Sequence, residues 1–297
     1  MRSASRITTV MALAAIAGGC TLVTSLDGLS DEPQADTKGG DGGAERAAID
    51  GSDASATVPS AHPDGDAGDA SGPDTWCTHN AGDASFCADF DLQDQQALAL
   101  FTELVQDAGS TTLDPVTSTS SPNSLAAAAS ASDASVSAGS VGWKSPVTNA
   151  TTADIRFDVR FDLDTAGSAQ SHTFARVVVD GTVPSPATWV VELSLGSTGR
   201  LYLGTRDLAT NTVTNLFYGS NAQLSVARWM NIHMRVDIFG SGSGEVSLEL
   251  DGTSIGSAMV TPPVFGGTFT CSFGIVRCLA PHAAFATHTD NLTIDVH

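Results

Sequence analysis

The feature that most constrains the fold of this chain is the alternation of apolar and polar residues along its C-terminal half. In IRFDVRFDLD, residues 155–164, every second side chain is apolar and those between are charged. The apolar members are Ile155, Phe157, Val159, Phe161 and Leu163. Successive side chains of a β-strand point to opposite faces of its sheet, so this spacing predicts a strand with one buried face.

Two other segments alternate in the same way. In WMNIHMRVDIF, residues 229–239, the side chains predicted to face inward are Met230, Ile232, Met234, Val236 and Ile238. EVSLELDGTSIG, residues 245–256, contains Asp251-Gly252, a pair typical of a tight hairpin turn. Further strands are expected at residues 174–179, 189–195, 200–205, 268–276 and 291–296, and a short helix at residues 93–104. So many strands predict an all-β domain, two antiparallel sheets packed face to face as a jelly-roll sandwich.

Several short motifs add a resemblance to this prediction. They are FCADFD (86–91), SPNSL (121–125), ADIRFDVRFD (153–162), LELDG (248–252) and DNLTIDV (290–296). In this order they resemble the laminin-G-like, concanavalin-like jelly rolls of bacterial surface lipoproteins. The resemblance covers residues 77–297, and it implies a curved sandwich whose first and last strands are neighbours. We place the domain at residues 76–297.

The N-terminus has the order of a secretory signal. Two arginines, Arg2 and Arg6, precede an apolar run at residues 10–17 that is far shorter than the roughly 20 residues needed to span a bilayer. Residues 17–20, Ala-Gly-Gly-Cys, resemble the bacterial lipobox, which implies a signal peptide at residues 1–19 and lipidation of Cys20. In the lipoproteins that this resembles, a residue such as Thr21 implies the outer membrane of a Gram-negative bacterium. Without lipidation, the protein is expected to be periplasmic or secreted.

A tether is predicted between the lipid site and the domain. Residues 31–74 are dominated by Gly, Asp, Ala, Ser and Pro, a composition that buries too little apolar surface to fold. Residues 20–75 are therefore predicted to be a lipidated N-terminus and a disordered acidic linker. The whole chain has a formal charge of −20, which disfavours nucleic acid and anionic lipid surfaces by repulsion. Contact with a membrane is expected through the lipid anchor only.

Four further cysteines, Cys77, Cys87, Cys271 and Cys278, favour disulfides in an exported chain. We predict the pairs Cys77–Cys87 and Cys271–Cys278. A crossed pair such as Cys87–Cys271 stays open, because the edges of a jelly roll bring distant segments together. Zinc is a competing interpretation, but no CxxC spacing occurs. We therefore assign no metal and no cofactor.

Two histidines in the last loop raise the same question about metals. His282 and His288 lie near Asp290 in the segment APHAAFATHTDN. A metal is conceivable there, but histidines in a polar loop are usually exposed, and we expect that for this pair.

The candidate ligand site is the polar face of the alternating strands. A sugar groove needs planar hydrogen-bonding groups and an aromatic platform. The outward residues supply both: Arg156, Arg160, Trp229, Asn231, His233 and Arg235. The competing interpretation is a solvated sheet face whose charges pair across strands. The predicted partner is a polysaccharide or another surface glycan.

No catalytic residue is assigned from the sequence. Alginate lyases of this fold use an arginine strand, a Q-[IV]-H strand and a late Tyr-Lys strand. The chain offers Asn231-Ile232-His233, but its two tyrosines are Tyr202 and Tyr218, and its last lysine is Lys144. We therefore predict a non-catalytic binding or adhesion module. A divergent polysaccharide lyase or glycoside hydrolase is the rival hypothesis, and a structural envelope lipoprotein is the third.

Overall fold

A computed structural model describes most of the predicted domain. The described residues are 75–92, 95–133, 135–162, 171–181, 187–196, 199–208, 212–224, 226–239 and 242–297. The predicted signal peptide, Cys20 and the linker lie outside them. Within these residues, the search for helices of membrane-spanning length and hydropathy finds none.

The described part of the chain contains two short helices, α1 (Trp76–Asn80) and α2 (Gln95–Ala99), and fifteen strands. The first sheet consists of β1 (Phe86–Ala88), β3 (Gly109–Asp114), β4 (Ser124–Ala129), β6 (Thr152–Phe161), β11 (Met230–Phe239), β12 (Ser243–Leu250), β13 (Thr253–Val260) and β15 (Phe285–Val296). The second sheet consists of β2 (Glu103–Asp107), β5 (Ser137–Lys144), β7 (His172–Gly181), β8 (Ala187–Leu195), β9 (Arg200–Asp207), β10 (Thr212–Gln223) and β14 (Gly267–Cys278).

The two sheets confirm the predicted antiparallel jelly-roll sandwich. The first sheet has the order β13-β12-β11-β6-β15-β4-β3, with β1 paired to β15, and the second has the order β10-β9-β8-β7-β14-β5-β2. Phe86 on β1 pairs with Ile294 on β15, so the first and last strands are neighbours, as the resemblance implied. The predicted helix is shorter than expected, because residues 103–107 continue as strand β2.

The core lies between the sheets and follows the alternation in the sequence. Along β6 the exposed fractions of Ile155, Phe157, Val159 and Phe161 do not exceed 1%. All five predicted inward residues of β11 are buried as well. Phe157 contacts Phe273 of the other sheet edge to face, with ring centres 5.2 Å apart. Burial of each such side chain stabilises the fold by about 1.5–3 kcal/mol.

One of the two predicted disulfides is present. Cys77 and Cys87 are bonded, with their Cα atoms 5.9 Å apart, which also excludes a Cys87–Cys271 bond. The predicted Cys271–Cys278 pair is wrong, because both residues are free and buried and both lie on β14. Seven residues of extended strand separate Cα atoms by about 23 Å, whereas a disulfide needs them within about 7 Å.

The expectation that the late histidines are exposed is also wrong. His288 is 7% exposed, because β15 begins earlier than the sequence suggested and runs through this residue. His282 is 5% exposed; it lies before β15, where it forms a bridge with Ser132 and its ring lies 3.2 Å from the Ser137 hydroxyl. His288 lies between two carboxylates, with Nε2 at 2.6 Å from Asp162 and Nδ1 at 3.4 Å from Asp114. Among the described residues, no group of three or more His, Cys, Asp or Glu side chains is arranged to hold a metal ion.

Candidate functional site

The predicted ligand residues lie on the outer face of the first sheet. β6 and β11 are adjacent strands, and Arg156 pairs with His233 in their register. Asn231 lies two residues before His233 on β11. Its side-chain amide donates a hydrogen bond of 2.8 Å to Oδ1 of Asp158. The structure therefore brings Arg156, Asn231 and His233 together, as the alternation predicted.

The cations of this face already have carboxylate partners. Arg156, Arg160 and Arg235 each pair with an aspartate two residues away on the same strand or just beyond it, at 3.3, 2.6 and 2.8 Å. His233 lies between Asp154, 3.0 Å from Nε2, and Glu249, 3.2 Å from Nδ1. The contacts of His233 cross strands, which is the kind of pairing in the competing interpretation, whereas the three arginine pairs do not. Ligand binding by the six residues stays a prediction.

An open groove of about 620 Å³ lies on this first face, and we call it the first-sheet groove. One wall comes from the loop that the Cys77–Cys87 disulfide closes. Of the six predicted residues, only Arg156 and Asn231 line it, and its aromatic residue is Trp76. Its charged side chains are Asp83, Asp154, Asp158, Asp295 and Arg156. Four carboxylates against one guanidinium give it a formal charge of 1 − 4 = −3, which repels acidic ligands.

Trp229 lies away from this groove. Its ring is 6.4 Å from that of His288, in an edge-to-face arrangement, and it is half-buried. The predicted set is therefore divided between two places on the first sheet. Arg156 and Asn231 line the first-sheet groove, and Trp229 does not.

The second sheet carries a polar surface that sequence reasoning missed. Glu192 lies between the core residues Val191 and Leu193, both fully buried, so it faces outward from β8. The strand register aligns it with Gly204 and Asn215 on one side, and with Arg176 and Ser272 on the other. This row of polar residues crosses five adjacent strands.

Three arginines gather around Glu192, and we call Arg176, Arg206 and Arg277 the arginine cluster. Nη2 of Arg277 is 2.9 Å from Oε2 of Glu192, and Nη2 of Arg206 is 3.3 Å from the same oxygen. Arg176 is the cross-strand neighbour of Glu192. Burial lowers the pKa of the Arg277 guanidinium, and repulsion by Arg206 and Arg176 lowers it further, against the attraction of Glu192.

An open groove of about 290 Å³, the second-sheet groove, lies over this cluster. Its lining includes Arg206, Arg277, Ser194, Asn215 and Tyr202. The Tyr202 ring is packed against Gly196, where an added Cβ would lie 2.1 Å from a ring carbon. Guanidinium, amide and hydroxyl groups beside an aromatic ring are the side chains that orient small polar ligands.

The sequence did contain a signal for part of this groove. Glu192 is the single charged residue of β8, ATWVVELSL, and both of its neighbours are buried. A charge there is costly unless it faces outward and is paired. Arg277 could not have been found in this way, because a β-bulge between Phe273 and Arg277 changes which side of β14 faces the core.

The described residues do not assemble the proton-transfer pair that the lyase hypothesis needs. Tyr202 and Tyr218 both lie in the second sheet, on β9 and β10, whereas His233 lies on β11 of the first sheet. His172 of the second sheet is 1% exposed and its ring stacks on Phe285 in the core. What the second-sheet groove offers is hydrogen bonding and positive charge.

Comparison with known proteins identifies the fold. No protein-family model and no curated protein sequence matches this chain. The structure of endo-β-1,4-glucuronan lyase from the fungus Trichoderma reesei is similar, with a TM-score of 0.57 and 11% identity, over 72% of this chain and 96% of that chain. The cellulose-induced protein Cip1 gives 0.47 and 14% identity, over 70% and 96% of the two chains. At these identities the likeness to the lyase shows a shared jelly-roll architecture.

Proposed function

We propose that this domain is a non-catalytic glycan-binding module and that its ligand lies in the second-sheet groove. The observation that carries the proposal is the convergence of Arg206, Arg277, Asn215 and Tyr202 on one open depression of a sheet face. These groups hydrogen-bond to sugar hydroxyls and pack against a sugar ring. An open sheet face also leaves room for a chain to extend beyond the residue that is bound.

The architecture supports this proposal without deciding it. A glucuronan lyase of the same fold acts on a polysaccharide, but a fold hosts many activities, and the site must carry the argument. Binding is favoured over catalysis because Glu192 is engaged by two guanidinium groups and because Tyr202 and His233 lie on different sheets.

The setting of the module is part of the same proposal. The lipobox-like segment at residues 17–20 and the acidic composition of residues 31–74 support a lipid-anchored module held away from an outer membrane by an extended tether. A surface glycan or an external polysaccharide would then be within its reach.

The proposal is tested with the full chain carrying Cys20→Ala, which removes the lipid anchor. This protein is incubated with insoluble and soluble polysaccharides, and both retention and the release of unsaturated or reducing ends are measured. Retention without products is the expected result. Products would show an enzyme of the lyase or hydrolase class, and the absence of both would favour a structural envelope protein.

Two variants decide which groove binds. Asn215→Ala alters the second-sheet groove and Asn231→Ala alters the first-sheet groove, with the same loss of one amide. We expect Asn215→Ala to reduce retention by about fivefold or more, the value of one hydrogen bond, and Asn231→Ala to leave it unchanged. If Asn231→Ala reduces retention and Asn215→Ala does not, the ligand binds to the first sheet, the face predicted from the sequence.

A further inference from the structure

We propose that the second-sheet groove selects glycans that bear carboxylate or sulfate groups, and that the arginine cluster determines this selectivity. The inference rests on the proposed function and narrows it to one class of ligand.

The cluster has a charge imbalance that sets it apart. The guanidinium groups of Arg206 and Arg277 share the single carboxylate of Glu192, so the charged side chains that line the groove have a formal charge of 2 − 1 = +1. Arg176 is the cross-strand neighbour of Glu192 and is not among the lining residues. The whole chain has a charge of −20. On the first sheet, by contrast, each of Arg156, Arg160 and Arg235 has an aspartate of its own. The lining of the second-sheet groove therefore carries a net positive charge in an acidic protein.

The arginines also have N–H donors that make no hydrogen bond within the protein. The Nε atoms of Arg176, Arg206 and Arg277 are buried and have no hydrogen-bond partner. Only one oxygen of Glu192 accepts from the Nη2 atoms of Arg206 and Arg277, although each guanidinium carries five N–H donors. Cations partly removed from water with too few acceptors are costly. An acidic group entering the groove would bind the exposed parts of the Arg206 and Arg277 guanidinium groups, whose side chains are about a fifth exposed, and not their buried Nε atoms.

The remaining groove residues favour a sugar acid over a small free anion. Tyr202, Ser194 and Asn215 line the same groove as Arg206 and Arg277, and a small inorganic anion held by the guanidinium groups needs none of them. Carboxylate and sulfate both present paired oxygens to the planar fork of arginine. A sugar that carries either group would use the guanidinium fork and the hydroxyl and amide groups together.

The test compares polysaccharides with one backbone and different charge. The probes are polygalacturonate against its methyl-esterified form, for carboxylate, and dextran sulfate against dextran, for sulfate. Binding of the full chain carrying Cys20→Ala is measured by affinity electrophoresis. We expect at least one charged polymer to bind about tenfold or more tightly than its neutral partner. Which pair shows the difference identifies the acidic group.

Matched variants assign this preference to the cluster. Arg206→Gln and Arg277→Gln should each lower the affinity for the charged polymer about tenfold. Arg228→Gln makes the same change of net charge at an exposed residue paired with Asp251, and should leave the affinity unchanged. Arg206→Lys keeps the positive charge and should bind the charged polymer better than Arg206→Gln does. This difference would show that the loss in Arg206→Gln comes from the missing charge and not from impaired folding. Raising NaCl from about 0.05 M to about 0.5 M should weaken binding of the charged polymer.

The outcomes separate this inference from the proposed function. Equal binding of charged and neutral partners would overturn the charge selectivity and retain the glycan-binding module. A charge preference lost equally in Arg228→Gln and Arg206→Gln would also overturn it, because the effect would then be one of net charge. Binding of no polysaccharide would overturn the proposed function itself.

Discussion

Arg277 illustrates how one residue acquires a role that its own segment does not suggest. It lies in the apolar run FGIVRC at the end of β14, yet its Nη2 reaches Glu192, 85 residues away along the chain. A carboxylate that binds two guanidinium groups fixes both of them in place. Glu192 is therefore a positioning residue for the proposed ligand site, and the arginines are the groups that would contact the ligand.

The buried side chain of His172 leads to a prediction about how stability depends on pH. Its side chain is 1% exposed, with Nδ1 unpartnered, and burial together with the nearby His282 lowers its pKa from 6.5 to about 4. The folded state therefore binds fewer protons than the unfolded state between these two pH values. We expect the free energy of unfolding to decrease by about 2–3 kcal/mol as the pH falls from 6.5 to 4.

The prediction is checked by urea unfolding at pH 7 and pH 4.5 of the protein and of His172→Leu. The variant should lose less stability on acidification, whereas His79→Gln, a change at an exposed histidine, should behave like the original protein. Asp91, whose pKa is raised to about 6 mainly by burial, contributes with the opposite sign, so the variants are compared with one another. An unchanged pH dependence in His172→Leu would contradict the assignment.

The Cys77–Cys87 disulfide closes the loop that forms one wall of the first-sheet groove. Cys77 lies in α1 and Cys87 in β1, and the chain between them supplies Asn80, Asp83 and other lining residues. The bond closes a loop whose ends are ten residues apart. Closing a loop of this length limits the unfolded chain and stabilises the fold by about 3 kcal/mol.

The double variant Cys77→Ser and Cys87→Ser should therefore unfold at lower urea, with a loss of about 3 kcal/mol. Retention of glycan should persist in this variant under folding conditions, because the second-sheet groove lies on the other sheet. An unchanged urea midpoint would show that the disulfide adds no stability.

Alkylation tests whether the two cysteines of β14 are free and buried. Burial raises the pKa of the Cys271 and Cys278 thiols to about 12, so both should resist iodoacetamide in the native protein and react after denaturation without reductant. A bond between these two cysteines in the denatured, non-reduced protein would contradict the structure.

For the protein as a whole, the proposed lipid anchor and acidic tether would hold the domain away from the membrane. Replacement of Cys20 by Ala should release the protein from the membrane fraction, because the apolar run at residues 10–17 is too short to span a bilayer. Membrane and soluble fractions are compared by immunoblot, with Cys278→Ala as a control that should stay bound. Retention of Cys20→Ala in the membrane would contradict the lipid anchor.

The alternation in the sequence predicted the fold class and the inward residues of β6 and β11, and the cysteine spacing favoured the Cys77–Cys87 disulfide. These features are local: a period of two assigns the faces of a strand, and a separation of ten residues brings two cysteines within reach. The alternation also placed Arg156, Asn231 and His233 on the outward sides of their strands, but it left open whether these strands share a sheet and which groups pair with those side chains.

Which surface gathers an excess of positive charge depends on tertiary contacts. The bulge in β14 turns Arg277 outward, where strict alternation from Phe273 and Ile275 would bury it. The extended course of the same strand keeps Cys271 and Cys278 apart. Strand register and bulges depend on the packing of both sheets, so the meeting of β8, β9 and β14 at Glu192 has no signature in any one segment.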